Sequence, residues 1–165
     1  PTNPGSARTF ARYGPPEEQL RLSIRIAQAL GAKSVRCVIG SGNLRREHGP
    51  IGRHIESTLQ VFRAVRDDAL RAGVKLAPEN HQDLRATEMR EIIETAGTDY
   101  VGATLDTGNP MEVLEDPLET VEVLGPVAVS SHFRDSVLWK HPRGAAFQWT
   151  AMGDGSVGIE RAVLR

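Results

Sequence analysis

The chain has one cysteine, Cys37. That excludes an internal disulfide, and its place in the apolar run "SVRCVIGS" reads as a small core residue. There is no excess of charge of one sign. Lys and Arg number 20 against 21 Asp and Glu, for a formal net charge of −1. Nucleic acid and membrane surfaces are therefore not expected partners. No apolar run approaches the roughly 20 residues of a membrane span. The opening stretch "PTNPGSARTF" lacks the apolar centre of a signal peptide. Linker composition and low-complexity tracts are missing too. The 165 residues, 39% hydrophobic and 25% charged, are expected to form one cytoplasmic domain with a real core.

What is present is alternation. "PPEEQLRLSIRIAQALGA" (15–32) predicts a helix: Pro16 suits its first turn, acids come next, and Leu20, Ile24, Ala27 and Leu30 share a face. "SVRCVIG" (34–40) predicts a strand, and a glycine-rich loop comes after it. A helix is predicted from about His54 to Ala72 on the stripe Ile55, Leu59, Phe62, Val65 and Leu70. "VKLAP" (74–78), "YVGATL" (100–105), "VAVSS" (127–131) and "AAFQWTAM" (145–152) predict further strands. Helices at 85–97 and 111–125 separate them, the latter restarted at Asp116-Pro117 as cap and first residue. "SVGIERAVLR" opens one more helix. Strands alternating with helices predict an α/β protein with a parallel sheet covered by helices.

The strand ends carry the chemistry. The second strand runs into Glu79, the third into Asp106 and the fourth into His132. In a parallel sheet these ends share one rim, with neighbouring strands about 4.8 Å apart, and function in such folds lives there. Two carboxylates and an imidazole suit one divalent ion: Mn²⁺, Mg²⁺, Co²⁺ or Zn²⁺. Such an ion polarises a carbonyl and eases removal of the adjacent proton.

The motifs "LAPENH", "TLDTGNP", "SHFRDS" and "MGDGSVGI" resemble the xylose isomerase-like TIM barrel superfamily, the sugar phosphate isomerases and epimerases. The resemblance runs from about residue 16 to 165. It implies a partial (β/α)8 barrel of about five parallel strands, lacking the family's first two strands and its last. It also implies that Glu79, Asp106 and His132 are three of four metal ligands, the fourth being a glutamate at the end of the eighth strand. The implied activity is isomerisation or epimerisation of a sugar, keto-sugar or polyol through a metal-stabilised enediolate, with Glu79 moving the proton. Trinuclear DNA-repair members carry further ligands where this chain has Asn109, Phe147 and Trp149, so DNA repair is not implied.

Other residues are candidates for supporting roles. His81, after Glu79 and Asn80, and Arg134, through an anionic group, are candidates to bind substrate, and the resemblance implies the same for Asn109. Asp135 is placed to orient His132 or its neighbours from behind. His48 and Arg53, in the long loop after the first strand, are candidates to cover the site. Trp139 and Trp149 suit a sugar face, a core or an interface, and Asp154 suits a turn. A homo-oligomer is allowed. The alternatives are a lyase or dehydratase on the same scaffold, an inactive remnant or a small-molecule-binding domain. A flavodoxin-like open sheet is the structural rival.

Overall fold

A computed structural model describes residues 14–40 and 51–164. Helix α1 (Pro16–Ala29) begins with proline and acids, as expected. Ile24 and Ala27 are buried, but Leu30 lies beyond the helix and is exposed. Strand β1 (Ser34–Cys37) comes next. The predicted helix to Ala72 is two helices, α2 (Ile51–Ala64) and α3 (Arg66–Ala72). They part at Val65, whose φ of −116° leaves the helical region and whose side chain is fully buried. The break also leaves Leu70 more than a third exposed. Beyond it come β2 (Lys75–Pro78), α4 (Ala86–Ala96) and β3 (Ala103–Asp106). Helix α5 (Pro117–Leu124) starts as predicted: the Asp116 carboxylate accepts the Leu118 N–H at 2.8 Å. Strand β4 (Ala128–His132) leads to β5 (Asp135–His141), β6 (Gly144–Thr150) and α6 (Ile159–Val163). His48 lies outside the described residues, and Arg53 is exposed on α2.

Strands β1 to β4 run parallel in chain order. β1 pairs with β2, and β3 with β4. Two parallel bridges, Leu76–Val101 and Glu79–Thr104, join the pairs. The Leu76 N–H donates to the Tyr100 carbonyl at 2.8 Å, and the Gly102 N–H to that of Leu76 at 2.9 Å. The result is an open four-stranded arc; the described strands close no barrel. The expectation of about five parallel strands is corrected here. The strand expected over 145–152 lies in β6 as far as Thr150, and β6 pairs antiparallel with β5. Pro142 and Arg143 make the two-residue link between His141 and Gly144, and so short a link permits only an antiparallel return.

Alternation along the strands sorts the two faces of the arc. Leu76, Ala103 and Leu105 join the core with Leu59, Phe62, Met89, Ile92 and Ile93 from the helices. Ala77, Glu79, Thr104 and Asp106 take the other face, since side chains two apart in a strand point the same way. No described helix is long and apolar enough to cross a membrane. Cys37 packs against the core, and burial pushes its thiol up to about 12, so it stays protonated at neutral pH.

Asp135 anchors the far end of the fold. Its Oδ1 accepts from the N–H groups of Ser136 and Val157, and its Oδ2 from those of Gly153 and Gly155, at 2.8–3.2 Å. It thus holds the glycine-acid-glycine turn to the hairpin base, and its oxygens go to backbone rather than to the His132 ring. A Cβ on Gly155 would lie 2.0 Å from Asp135 Oδ1, so only glycine fits. Burial alone would raise this carboxyl, but the four N–H donors outweigh it and hold it below the usual range. The unfolded Asp titrates near 3.9, so the stabilisation is complete above about pH 4 and is lost as pH falls through the lower folded value. Asp135→Asn is expected to cost about 2–4 kcal/mol at neutral pH, because two N–H groups then face an amide donor. Urea unfolding across pH 2–7 should show a flatter acid limb for the variant, and parallel limbs would refute this role.

Candidate metal site

The register of the arc assembles the site. Glu79 bridges to Thr104, and Asp106 pairs with His132. Between β3 and β4 the register slips once. Ala103 pairs with Ala128, but Thr104 pairs with Ser130. Val129 is the extra residue of a bulge. Without it Ser131 would sit opposite Asp106, and the His132 side chain would point to the other face of the arc. Gly102 makes room for the bulge: a Cβ there would lie 2.6 Å from the Val129 side chain.

Three donor groups converge. One ligand atom each from Glu79, Asp106 and His132 lies within 4.8 Å of the other two. His132 Nδ1 is 3.0 Å from Glu79 Oε1 and 3.7 Å from Asp106 Oδ2. Neighbouring ligands on an ion with bonds of about 2.1 Å sit about 3.0–3.4 Å apart; the Glu79–His132 separation matches one divalent ion, and Asp106 Oδ2 lies a little farther from the imidazole, at 3.7 Å. The donor set, two carboxylate oxygens and one imidazole nitrogen, suits Mg²⁺, Mn²⁺, Co²⁺ or Zn²⁺. Glu79 and Asp106 are almost wholly buried, whereas the His132 side chain is 39% exposed and leaves one side open.

Both carboxylates are held from behind. The Asn80 side chain copies a ladder rung. Its Oδ1 accepts the Asp106 N–H at 2.7 Å, and its Nδ2 donates to the Asp106 carbonyl at 2.9 Å. Asp106 Oδ1 accepts from the N–H groups of Gly108 and Asn109, both at 2.9 Å. Arg134 Nε donates to Asp106 Oδ2 at 2.8 Å. Arg36 bonds Glu79 Oε2 from β1. Arg36 is in register with Ala77, so it shares the Glu79 face, and the small Ala77 lets it reach across. Burial alone would raise the Glu79 carboxyl. The bond from His132 and the Arg36 charge outweigh it and keep the group below the usual carboxylate range.

The other expected residues divide. Asn109 is buried and spends its amide on protein: Nδ2 on the Asn80 carbonyl at 2.9 Å, and Oδ1 on Arg134. It braces the site in this structure. The Arg134 guanidinium lies 4.0 Å from the centre of the Trp149 ring, which itself meets Phe147 edge-on. Trp149 therefore stacks on a site arginine with 40% of its surface still exposed, and Trp139 is 46% exposed on the hairpin. The His81 Nδ1 is buried without a hydrogen-bond partner among the described residues, near the buried Asp83 carboxyl that desolvation pushes up. A separate apolar cavity of about 230 Å³ opens between α1, α2 and the end of β1, and no ligand residue lines it. Sequence reasoning misses Arg36 and Asn80. A charged residue inside the short apolar strand "SVRCV" is the signal that points to Arg36.

A parallel α/β arc with an acid–imidazole cluster at consecutive strand ends defines the class: α/β proteins with a candidate metal site on the strand-end rim. Within it, the chain belongs to the xylose isomerase-like TIM barrel family, which residues 17–163 match. It is 24% identical over 136 residues to the uncharacterised Escherichia coli protein YihM, covering 82% of this chain. It is 22% identical over 118 residues to a 3-oxo-isoapionate decarboxylase of Pectobacterium atrosepticum, covering 72% of this chain. It spans 40% of each of these relatives. Among solved structures, a xylose isomerase-like TIM barrel protein from Mycobacterium smegmatis in complex with magnesium superposes with a TM-score of 0.73. The identity is 16%, covering 89% of this chain and 54% of that one. A D-tagatose 3-epimerase-like protein gives 0.70 at 19% identity, over 99% of this chain and 62% of that one. The chain thus spans about half the length of the structures it matches.

Asp106→Asn is expected to abolish Mn²⁺ binding in calorimetry. Asn80→Ala, which frees the Asp106 backbone, should weaken it by about 10–100-fold. Unchanged affinity in Asp106→Asn would remove the site.

Proposed function

We propose that the chain is the metal-binding part of an isomerase or epimerase acting on a sugar, keto-sugar or polyol by proton transfer beside a carbonyl. The convergence of Glu79, Asp106 and His132 on one open rim carries this reading. The epimerase-like fold neighbour supports it. A divalent ion held by the three would polarise the substrate carbonyl and acidify the neighbouring C–H.

The chain's own residues do the rest. Glu79 is ionised at neutral pH, because Arg36 and His132 keep its pKa low. It is therefore in the form that can accept the proton on the carbon next to the carbonyl, and the acidification of that C–H carries the step. Asp106 is fixed on the rim by Asn80 and by two backbone N–H groups on its Oδ1. His132 presents its exposed edge to the open side. A second acid to return the proton on the opposite face would come from a fourth carboxylate, as the family resemblance implies.

A lyase is the second reading, favoured by the similarity to the 3-oxo-isoapionate decarboxylase. It begins at the same carbonyl and differs in the bond that breaks. Product mass separates the two: an isomer keeps it, while dehydration or decarboxylation lowers it.

The test is proton exchange in D₂O, with Mn²⁺ and a panel of ketoses and keto-acids, read by NMR. Deuterium should enter at the carbon beside the carbonyl. Exchange should stop with EDTA and fall about 10²–10⁴-fold in Glu79→Gln. Exchange that survives both treatments would contradict the proposal.

A further inference from the structure

Each carboxylate of the triad is answered by a guanidinium: Glu79 by Arg36 and Asp106 by Arg134. The two cases differ in one respect. Glu79 bonds Arg36 through Oε2 and turns Oε1 toward His132. Its ligand oxygen is free of arginine. Asp106 has no such choice. Its Oδ1 is taken by the Gly108 and Asn109 N–H groups, so Oδ2 is the oxygen it can offer an ion. Arg134 Nε sits on that oxygen at 2.8 Å. Arg134 and a divalent ion therefore contend for one atom.

The guanidinium is built to give way without leaving. It stacks 4.0 Å from the centre of the Trp149 ring, whose face attracts a cation whatever the fate of the ion pair. Its Nη2 also keeps the Asn109 carbonyl oxygen. A Cβ on Gly108 would lie 2.4 Å from the Trp149 ring, so the glycine lets the indole close over this loop and keep the platform in place.

Charge balance then sets a requirement. Two carboxylates and two guanidiniums cancel. A divalent ion adds two positive charges at a rim where Glu79 and Asp106 are nearly inaccessible to water. An excess of that size in a partly desolvated site calls for an anion. A displaced guanidinium is a fork that matches an oxyanion with two parallel hydrogen bonds.

We propose that Arg134 is an exchangeable counter-ion: it holds Asp106 until a divalent ion takes Oδ2, and then, still stacked on Trp149, binds an oxyanion of the substrate. The substrate class is a sugar or polyol carrying a carboxylate or a phosphate. This inference rests on the metal-dependent reading above and narrows it.

Calorimetry on the chain tests it in two steps. Mn²⁺ should bind Arg134→Gln about three- to tenfold more tightly than wild type, because a competing ion pair is gone. Arg134→Lys should fall between, and circular dichroism should show all three folded alike. Next, the Mn²⁺-loaded proteins are titrated with glycerate, glycerol 3-phosphate and glycerol. Arg134→Gln should lose at least about tenfold in affinity for the anion that wild type prefers, and nothing for glycerol. Preference for glycerate assigns a carboxylate, and preference for glycerol 3-phosphate assigns a phosphate. Equal or weaker Mn²⁺ binding by Arg134→Gln, or a parallel loss for glycerol, overturns the inference and leaves the metal reading standing. A wild-type chain that binds no Mn²⁺ overturns both.

Discussion

One skipped residue in the register of β3 and β4 decides whether this chain has a site. Val129 bulges out of the ladder, and every partner after it moves by one. Because side chains alternate with a period of two, that single step exchanges Ser131 for His132 opposite Asp106. Gly102 permits it by leaving the space that the Val129 side chain fills. The Asn80 amide then locks β2 to β3 across the Asp106 peptide. Strand, bulge and amide together bring one imidazole and two carboxylates from residues 79, 106 and 132 to a single point.

Holding two carboxylates close in a buried place is costly, and the surroundings are organised to offset that cost. Arg36, Arg134 and His132 supply opposite charge or hydrogen bonds at 3.0 Å or less. Backbone N–H groups take the remaining oxygen of Asp106. Asp135 uses the same device for a different end. Its two oxygens accept four backbone N–H bonds that hold a turn. Similar carboxylates are thus assigned to structure or to chemistry by what their second oxygen is free to do.

Much of this is legible in the sequence. Short apolar runs ending in Glu79, Asp106 and His132 show which residues meet, because parallel strands share a rim. Asp116-Pro117 announces the start of α5 through ordinary capping chemistry. What escapes depends on register or distance. The hairpin of β5 and β6 reads as one strand, since the Pro142-Arg143 link carries no glycine-asparagine signal of a tight hairpin. The bulge at Val129 has no local signature. Asn80 and Asn109 look like loop residues until the β3 backbone is set beside them. Leu30 fits an apolar stripe by spacing, but it falls after the helix ends.

Anomalous diffraction from crystals soaked in Mn²⁺ tests most directly whether Glu79, Asp106 and His132 hold one divalent ion. One strong peak is expected within about 2.0–2.3 Å of Glu79 Oε1, Asp106 Oδ2 and a His132 ring nitrogen. A peak elsewhere, or none at an Mn²⁺ concentration that saturates calorimetric binding, would contradict it.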